Sequence, residues 1–164
     1  MSTEMIIFLS VVLGLALLSG TLALIFAWTR RLRSQAISTL RVDAGLEKVY
    51  NVEGCNFFGR QSKGYRQFRG NGVLALTDKG IHFRMLLPRK YLFVPLGFIK
   101  EVSNPRSFLG KYKAKDLLRV DFTNDAGKED ACAWLVGHLG WWNEALVNLL
   151  AGREPPPRPQ KRSR

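Results

Sequence analysis

The run from Met5 to Trp28, MIIFLSVVLGLALLSGTLALIFAW, constrains this chain more than any other stretch: it holds 24 residues without a charge. Its polar interruptions are Ser10, Ser19 and Thr21. Wound as a helix at ~1.5 Å per residue it reaches roughly 36 Å, enough to cross a hydrocarbon core of ~30 Å with some tilt. A helix that packs on a soluble domain keeps a polar face, and this one has none. The run therefore predicts a transmembrane helix over residues 5–28, with residues 1–4 as a short extracytoplasmic N-terminus. Everything after it is a tethered domain.

The flanks set the expected orientation. The leading MSTE carries Glu4 and no Lys or Arg, whereas a cleaved signal peptide has a basic start and a shorter apolar run closed by small residues. On the far side Arg30, Arg31 and Arg33 follow within six residues of the span. Positive charge at that end predicts a single-pass protein of the inner or plasma membrane with its C-terminal part in the cytoplasm. Trp28 and the three arginines then act as interfacial anchors. Gly14, Gly20, Ser10 and Ser19 are small, but no G-x-x-x-G spacing marks a helix-pairing face.

Net charge bears on the partners. The whole chain of 164 residues has a formal net charge of +12 and a pI near 10.2, which favours a polyanion, either an acidic membrane surface or nucleic acid. The charge gathers close to the span: residues 29–72 carry nine Lys/Arg against three Asp/Glu, a net of +6. Residues 29–45 read as a basic juxtamembrane helix or linker, with Leu32, Ala36, Ile37 and Leu40 on one stripe. Such a helix lies on anionic headgroups or simply continues the membrane helix, and the spacing allows both. Asp43-Ala44-Gly45 is expected to end it.

From Leu46 the periodicity changes to short strands punctuated by turns, and the predicted domain runs over residues 46–151. Gly72–Thr77 reads as a strand, Asp78-Lys79-Gly80 as a tight turn whose glycine supplies a positive φ, and Ile81–Leu87 as the returning strand. Pro88 ends it. Lys90–Val94, Phe98–Val102, Leu117–Thr123 and Lys128–Leu135 continue the series, giving six or seven antiparallel strands. One helix over 138–151 follows, with Leu139, Trp142, Leu146 and Leu149 on its apolar face. Gly152 is the expected C-cap and Glu154-Pro155-Pro156-Pro157 the stop. The last segment, residues 152–164, reads as a disordered basic tail with five Lys/Arg against one Glu. Arg158-Pro159 within its proline-rich run suits an SH3-type ligand, a lipid-facing patch, or a solvated tail without a partner.

The order of strands and a single closing helix is that of a pleckstrin-homology-like barrel, and particular residues add to it. Gly72-Val73-Leu74-Ala75-Leu76-Thr77-Asp78, then His82-Phe83, then Val94-Pro95-Leu96 with Ile99 and Val102, resembles the pattern of GRAM and related bacterial PH-like domains. Asn56-Phe57-Phe58-Gly59, Gln67 with Arg69-Gly70-Asn71-Gly72, Leu109-Gly110-Lys111, Leu117-Leu118-Arg119-Val120 and Ala133-Trp134 are similar to a family of bacterial PH-like (GRAM-like) membrane proteins, over roughly residues 52–150. The resemblance implies an α+β, mainly β, PH/GRAM-like barrel of antiparallel strands capped by a C-terminal helix, behind one transmembrane helix. Its motifs are strand starts, turns and core positions. Some PH and GRAM domains bind phosphoinositides, and no ligand motif of theirs matches here residue by residue.

Chemistry in the sequence is sparse. His82 and His138 have no Cys, Asp or Glu at metal-ligand spacing. Cys55 and Cys132 lie far apart without a C-x-x-C, a pattern of buried thiols or a reducing compartment. Gly54-x-x-x-x-Gly59-Arg60 lacks the Lys and Ser/Thr of a phosphate loop. Glu129 and Asp130 are adjacent in a strand and point to opposite faces. No enzyme, metal or cofactor is expected. The basic loop Gly59–Gly70 is the most informative stretch: Arg60, Lys63, Arg66 and Arg69 recur every third residue, interleaved with Tyr65 and Phe68. Charge to meet a phosphate and rings to enter the interface suit a lipid headgroup. Arg89, Lys90, Lys111, Lys113 and Lys115 are candidates on neighbouring loops.

Three functions compete on this reading. The first is a membrane-tethered, non-enzymatic module whose basic loops contact anionic lipid headgroups. The second is an adaptor that binds a peptide or protein partner in a membrane complex, with the tether raising local concentration. The third, nucleic-acid binding, is opposed by the tether and by the lack of a nucleic-acid motif.

Overall fold

The computed structural model describes residues 3–45 and 47–158. Met1, Ser2, Leu46 at the expected domain start, and Pro159–Arg164 of the expected tail lie outside the described residues.

The chain opens with α1, Thr3–Ala44. Its apolar part is long and apolar enough to cross a membrane. The described side chains there are exposed all round, Phe8 and Leu24 among them. Each polar interruption is satisfied within the helix: the hydroxyls of Ser10, Ser19 and Thr21 donate to the carbonyls of Ile7, Ala16 and Leu18 at 2.8–2.9 Å. These three hydroxyls are thus satisfied without a partner outside the helix, as an apolar surrounding would demand.

The compact part begins inside α1. Ala36 and Leu40 are buried against Val73 and Ala75, with Ile37, Val52 and Leu86 around them. α1 runs unbroken through residues 29–44, as in the reading that the juxtamembrane stretch continues the apolar helix, and from Ala36 onward its apolar stripe covers a protein surface. Gly45, at φ 58, ends the helix.

Among the described residues nine strands follow: β1 (Val49–Arg60), β2 (Gly70–Thr77), β3 (Gly80–Met85), β4 (Lys90–Pro95), β5 (Ile99–Ser103), β6 (Ser107–Phe108), β7 (Lys111–Tyr112), β8 (Leu118–Thr123) and β9 (Glu129–Leu135). Seven form one antiparallel sheet in the order β4-β3-β2-β1-β9-β8-β5, and β6 and β7 form a separate hairpin. The twelve-residue β1 joins the two halves. It pairs with β2 from Val49 to Phe57 and with β9 only from Asn56 to Arg60. The sheet ends on β4 and β5, which are not hydrogen-bonded to each other, so it is open where a closed barrel was expected.

The inward positions alternate as a half-buried strand demands. Phe57, Leu74, Leu76, Ile81, Phe83, Val120, Phe122 and Trp134 share one core with Trp142, Ala145 and Leu146 of α2 (Leu139–Leu150). β2 is buried on its other face as well, because α1 lies over Val73 and Ala75. Gly152, at φ 70, closes α2: its N–H donates to Leu149 and that of Arg153 to Asn148 at 2.8 Å, the Schellman arrangement.

The β2–β3 turn corrects one expectation. Thr77 Oγ1 accepts from the backbone N–H of Lys79 and Gly80 at 3.2 and 3.1 Å. Gly80 is not among the positive-φ glycines. A Cβ there would instead run into the carbonyl of Val94, so glycine is needed for the close approach of β4.

Candidate functional site

The basic loop hangs from the end of β1. Gly59 sits at φ 129, where the register with β9 slips between Phe57 and Gly59. A Cβ at Gly59 would fall 2.9 Å from the Gln67 side-chain amide. That amide binds both main-chain groups of Arg60: Oε1 accepts from its N–H at 2.7 Å and Nε2 donates to its carbonyl at 2.8 Å. Nε2 also donates to the carbonyl of Gly64. Gln67 so takes the place of a neighbouring strand and folds the loop back on its root.

Asp130 holds the other side of that root. Its side chain is fully buried. It accepts from the Arg60 guanidinium, from the Ser62 N–H at 2.9 Å and from the Ser62 hydroxyl at 2.7 Å. Burial pushes its carboxyl up, but the Ser62 and Arg60 hydrogen bonds outweigh it and hold the group below its ordinary value. Arg60, with its guanidinium 5.5 Å over the Phe122 ring, is committed to this anchor.

A cleft of 390 Å³ opens beside the loop. Its floor is apolar, made by Phe57, Phe83, Met85 and Leu92, and its rim is formed by Arg60, Lys63, Arg66, Gln67, Phe68, Lys90 and Tyr91. Lys63 and Arg66 are exposed and have no carboxylate partner among the described residues. Lys90 Nζ stands 4.8 Å over the Phe68 ring, which is itself 64% exposed. This cation–π contact draws β4 and the β1–β2 loop toward each other across the cleft.

The sequence candidates therefore separate. Arg60, Lys63, Arg66 and Lys90 line one cleft. Arg69 turns away and donates from Nη2 to the Leu109 carbonyl at 3.3 Å. Lys111 and Lys113 are exposed on and after β7, and Arg89 is exposed in the β3–β4 turn. None of these four lines the cleft. Trp28, Arg30, Arg31 and Arg33 are exposed along α1, with the Arg30 guanidinium 4.7 Å over the Phe26 ring. The apolar floor escaped the sequence reading, although strand parity places Phe83 and Met85 on one face and the register sets Leu92 opposite Phe83.

Other titratable clusters are committed internally. His82, 2% exposed, is hydrogen-bonded at Nδ1 to the Tyr91 hydroxyl at 2.7 Å and at Nε2 to Glu47 at 2.8 Å. Glu53 accepts from the Trp142 indole at 2.8 Å and the Gly137 N–H at 3.1 Å, with His138 Nδ1 at 2.9 Å. A second cleft, of 240 Å³, is walled mostly by ion pairs, Lys100–Glu129 at 2.9 Å and Arg119–Asp121 at 2.6 Å. Cys55 and Cys132 are both buried and not joined in a disulfide. Burial first, then the Asp130 carboxylate, pushes the Cys132 thiol well above its ordinary value, which leaves it unreactive. Among the described residues no group of three or more His, Cys, Asp or Glu is placed to hold a metal ion.

No family model matches the chain, and no curated protein matches it either. Among solved structures it is similar to the C-terminal domain of an unknown protein from Leishmania infantum, with 13% identity and a TM-score of 0.51. The match covers 72% of this chain and 97% of that one. At that identity the likeness concerns fold alone.

Proposed function

We propose that this chain is a membrane-tethered, non-enzymatic PH/GRAM-like module. In this reading α1 holds the domain at the cytoplasmic leaflet of an inner or plasma membrane, and the cleft beside the β1–β2 loop meets anionic lipid headgroups. The observation that carries it is the gathering of Lys63, Arg66 and Lys90, none paired with a carboxylate among the described residues, around the exposed ring of Phe68. Cations without a carboxylate partner are available to phosphate, and an exposed ring beside them enters the interface. Three such residues near an anionic surface contribute about 3 kcal/mol, or roughly a hundredfold in affinity. The PH-like reading draws support from the way β1 is shared between two halves of the sheet and from the packing of α2 on the core.

The test uses residues 30–164, which keep Ala36 and Leu40, in co-sedimentation with neutral and anionic vesicles at low and high salt. Binding to anionic vesicles is expected, weakened by salt and lost in the triple variant K63E/R66E/K90E. Equal binding by that variant, or none by the unaltered fragment, overturns the proposal.

A further inference from the structure

β1 meets β9 only from Asn56, so the edge of its first half, from Val49 to Cys55, has no strand on that side among the described residues. The chain's own Glu154–Arg158 is seated there. Trp141 Nε1 donates to the carbonyls of Pro156 and Pro157 at 3.2 and 3.0 Å. Arg158 donates from Nε to Asn51 Oδ1 at 3.1 Å and from Nη2 to the Val52 carbonyl at 3.0 Å. Glu154 meets Lys48 at 2.6 Å.

The tryptophan side of the surface under this segment is packed by contacts that do not involve the segment. Trp141 stands edge-on to Trp142, ring centroids 5.6 Å apart at 88°. Trp142 is fully buried and its indole is fixed by Glu53. Asn51 is 3% exposed within β1, and its Nδ2 has no acceptor among the described residues. The partners also match chemically. Consecutive prolines hold an extended chain at little cost in ordering entropy and present carbonyls without competing N–H groups. An indole N–H on an aromatic surface meets such carbonyls in the manner of proline-peptide recognition. The arginine after the prolines reads the open edge of β1 through two separate donors.

We propose that Trp141, Asn51 and the Val52 carbonyl form a recognition groove for proline-rich peptides with an arginine directly after the prolines, and that Glu154–Arg158 occupies it as a displaceable ligand in cis. Covalent attachment gives the segment a millimolar effective concentration, so the intact chain excludes a free peptide that the vacated groove accepts. Groove and ligand belong to a chain of net charge +12, and long-range electrostatics oppose binding of a basic peptide.

The experiment uses the chain in nanodiscs of neutral lipid, intact or lacking residues 154–164, and a fluorescent peptide of sequence EPPPRPQKRSR read by anisotropy. The shortened chain is expected to bind at least tenfold more tightly than the intact one. The substitution W141F, which keeps a ring and removes the N–H, should weaken binding at least tenfold, as should replacing the peptide's PPPR by SSSA. Equal binding to both chains, indifference to W141F, or no binding to a shortened chain with unaltered near-ultraviolet dichroism overturns the proposal. If the shortened chain does not fold, the intact chain decides. Its Trp141 indole N–H resonance should shift in Arg158→Ala and return toward the free position as that variant releases the segment; an unmoved resonance overturns the proposal.

Discussion

At both ends of β1 a carboxylate, half-buried in Glu53 and fully buried in Asp130, gathers donors from elements far away in sequence, yet the two ends present opposite surfaces. Near the start, Glu53 collects the indole of Trp142 and the N–H of Gly137, and the edge beside it is filled by the chain's own proline segment. At the far end Asp130 collects Arg60 and both donors of Ser62, but it fixes only the root of the loop. Lys63 and Arg66, just beyond that root, remain uncommitted and exposed at the cleft. A count of basic residues does not distinguish these regions. Which cations already have an internal acceptor does.

The largest effect expected from breaking this comparison is at Asp130. Asp130→Ala leaves the Arg60 guanidinium half-sequestered without its counter-charge and is expected to cost about 3–5 kcal/mol. Glu53→Ala, at a less buried acid, is expected to cost about 2 kcal/mol. Urea unfolding of the two variants ranks them, and the reverse order contradicts the view that Asp130 is the tighter anchor. The pH dependence follows next. Because the folded-state pKa of Asp130 lies below its ordinary value of 3.8, its contribution to stability is present above that value and lost as pH falls through the folded one. Unfolding midpoints measured from pH 6 down to pH 2 should fall less steeply in Asp130→Asn. The smallest effect on stability belongs to the rim. K63Q/R66Q should change unfolding free energy by less than about 0.5 kcal/mol while lowering anionic-vesicle affinity about thirtyfold, since each cation contributes roughly 1 kcal/mol. A large loss of stability in that pair shows that the rim, too, is structural.

What was legible in the sequence was local. The uncharged run, the alternation in Leu118–Thr123, the period of α2 and its glycine stop are each written within one continuous stretch of sequence. Pairing between distant residues was not. Arg60 meets Asp130 across 70 positions and Trp142 meets Glu53 across 89. The even spacing of Arg60, Lys63, Arg66 and Arg69 reads as one surface, but only a short 3-10 turn over Gln61–Lys63 is helical there. Beyond it Gln67 folds the loop, and Arg69 leaves for Leu109. Gly80 was read as a turn residue because turn chemistry is local, whereas its need for a missing Cβ arises from β4, fourteen positions further on. The apolar stripe at Ala36 and Leu40 carried no sign of whether lipid or β2 would cover it.

That last contact sets where this chain can be cut. A protease acting before Ala36 leaves Val73 and Ala75 covered and releases a protein with its layers complete. One acting after Leu40 takes the covering turn of α1 away with the apolar segment and uncovers an apolar strand face, the kind of surface that chaperones and degradative proteases recognise. A shift of a few residues in the cleavage point separates shedding of a folded fragment from its destruction.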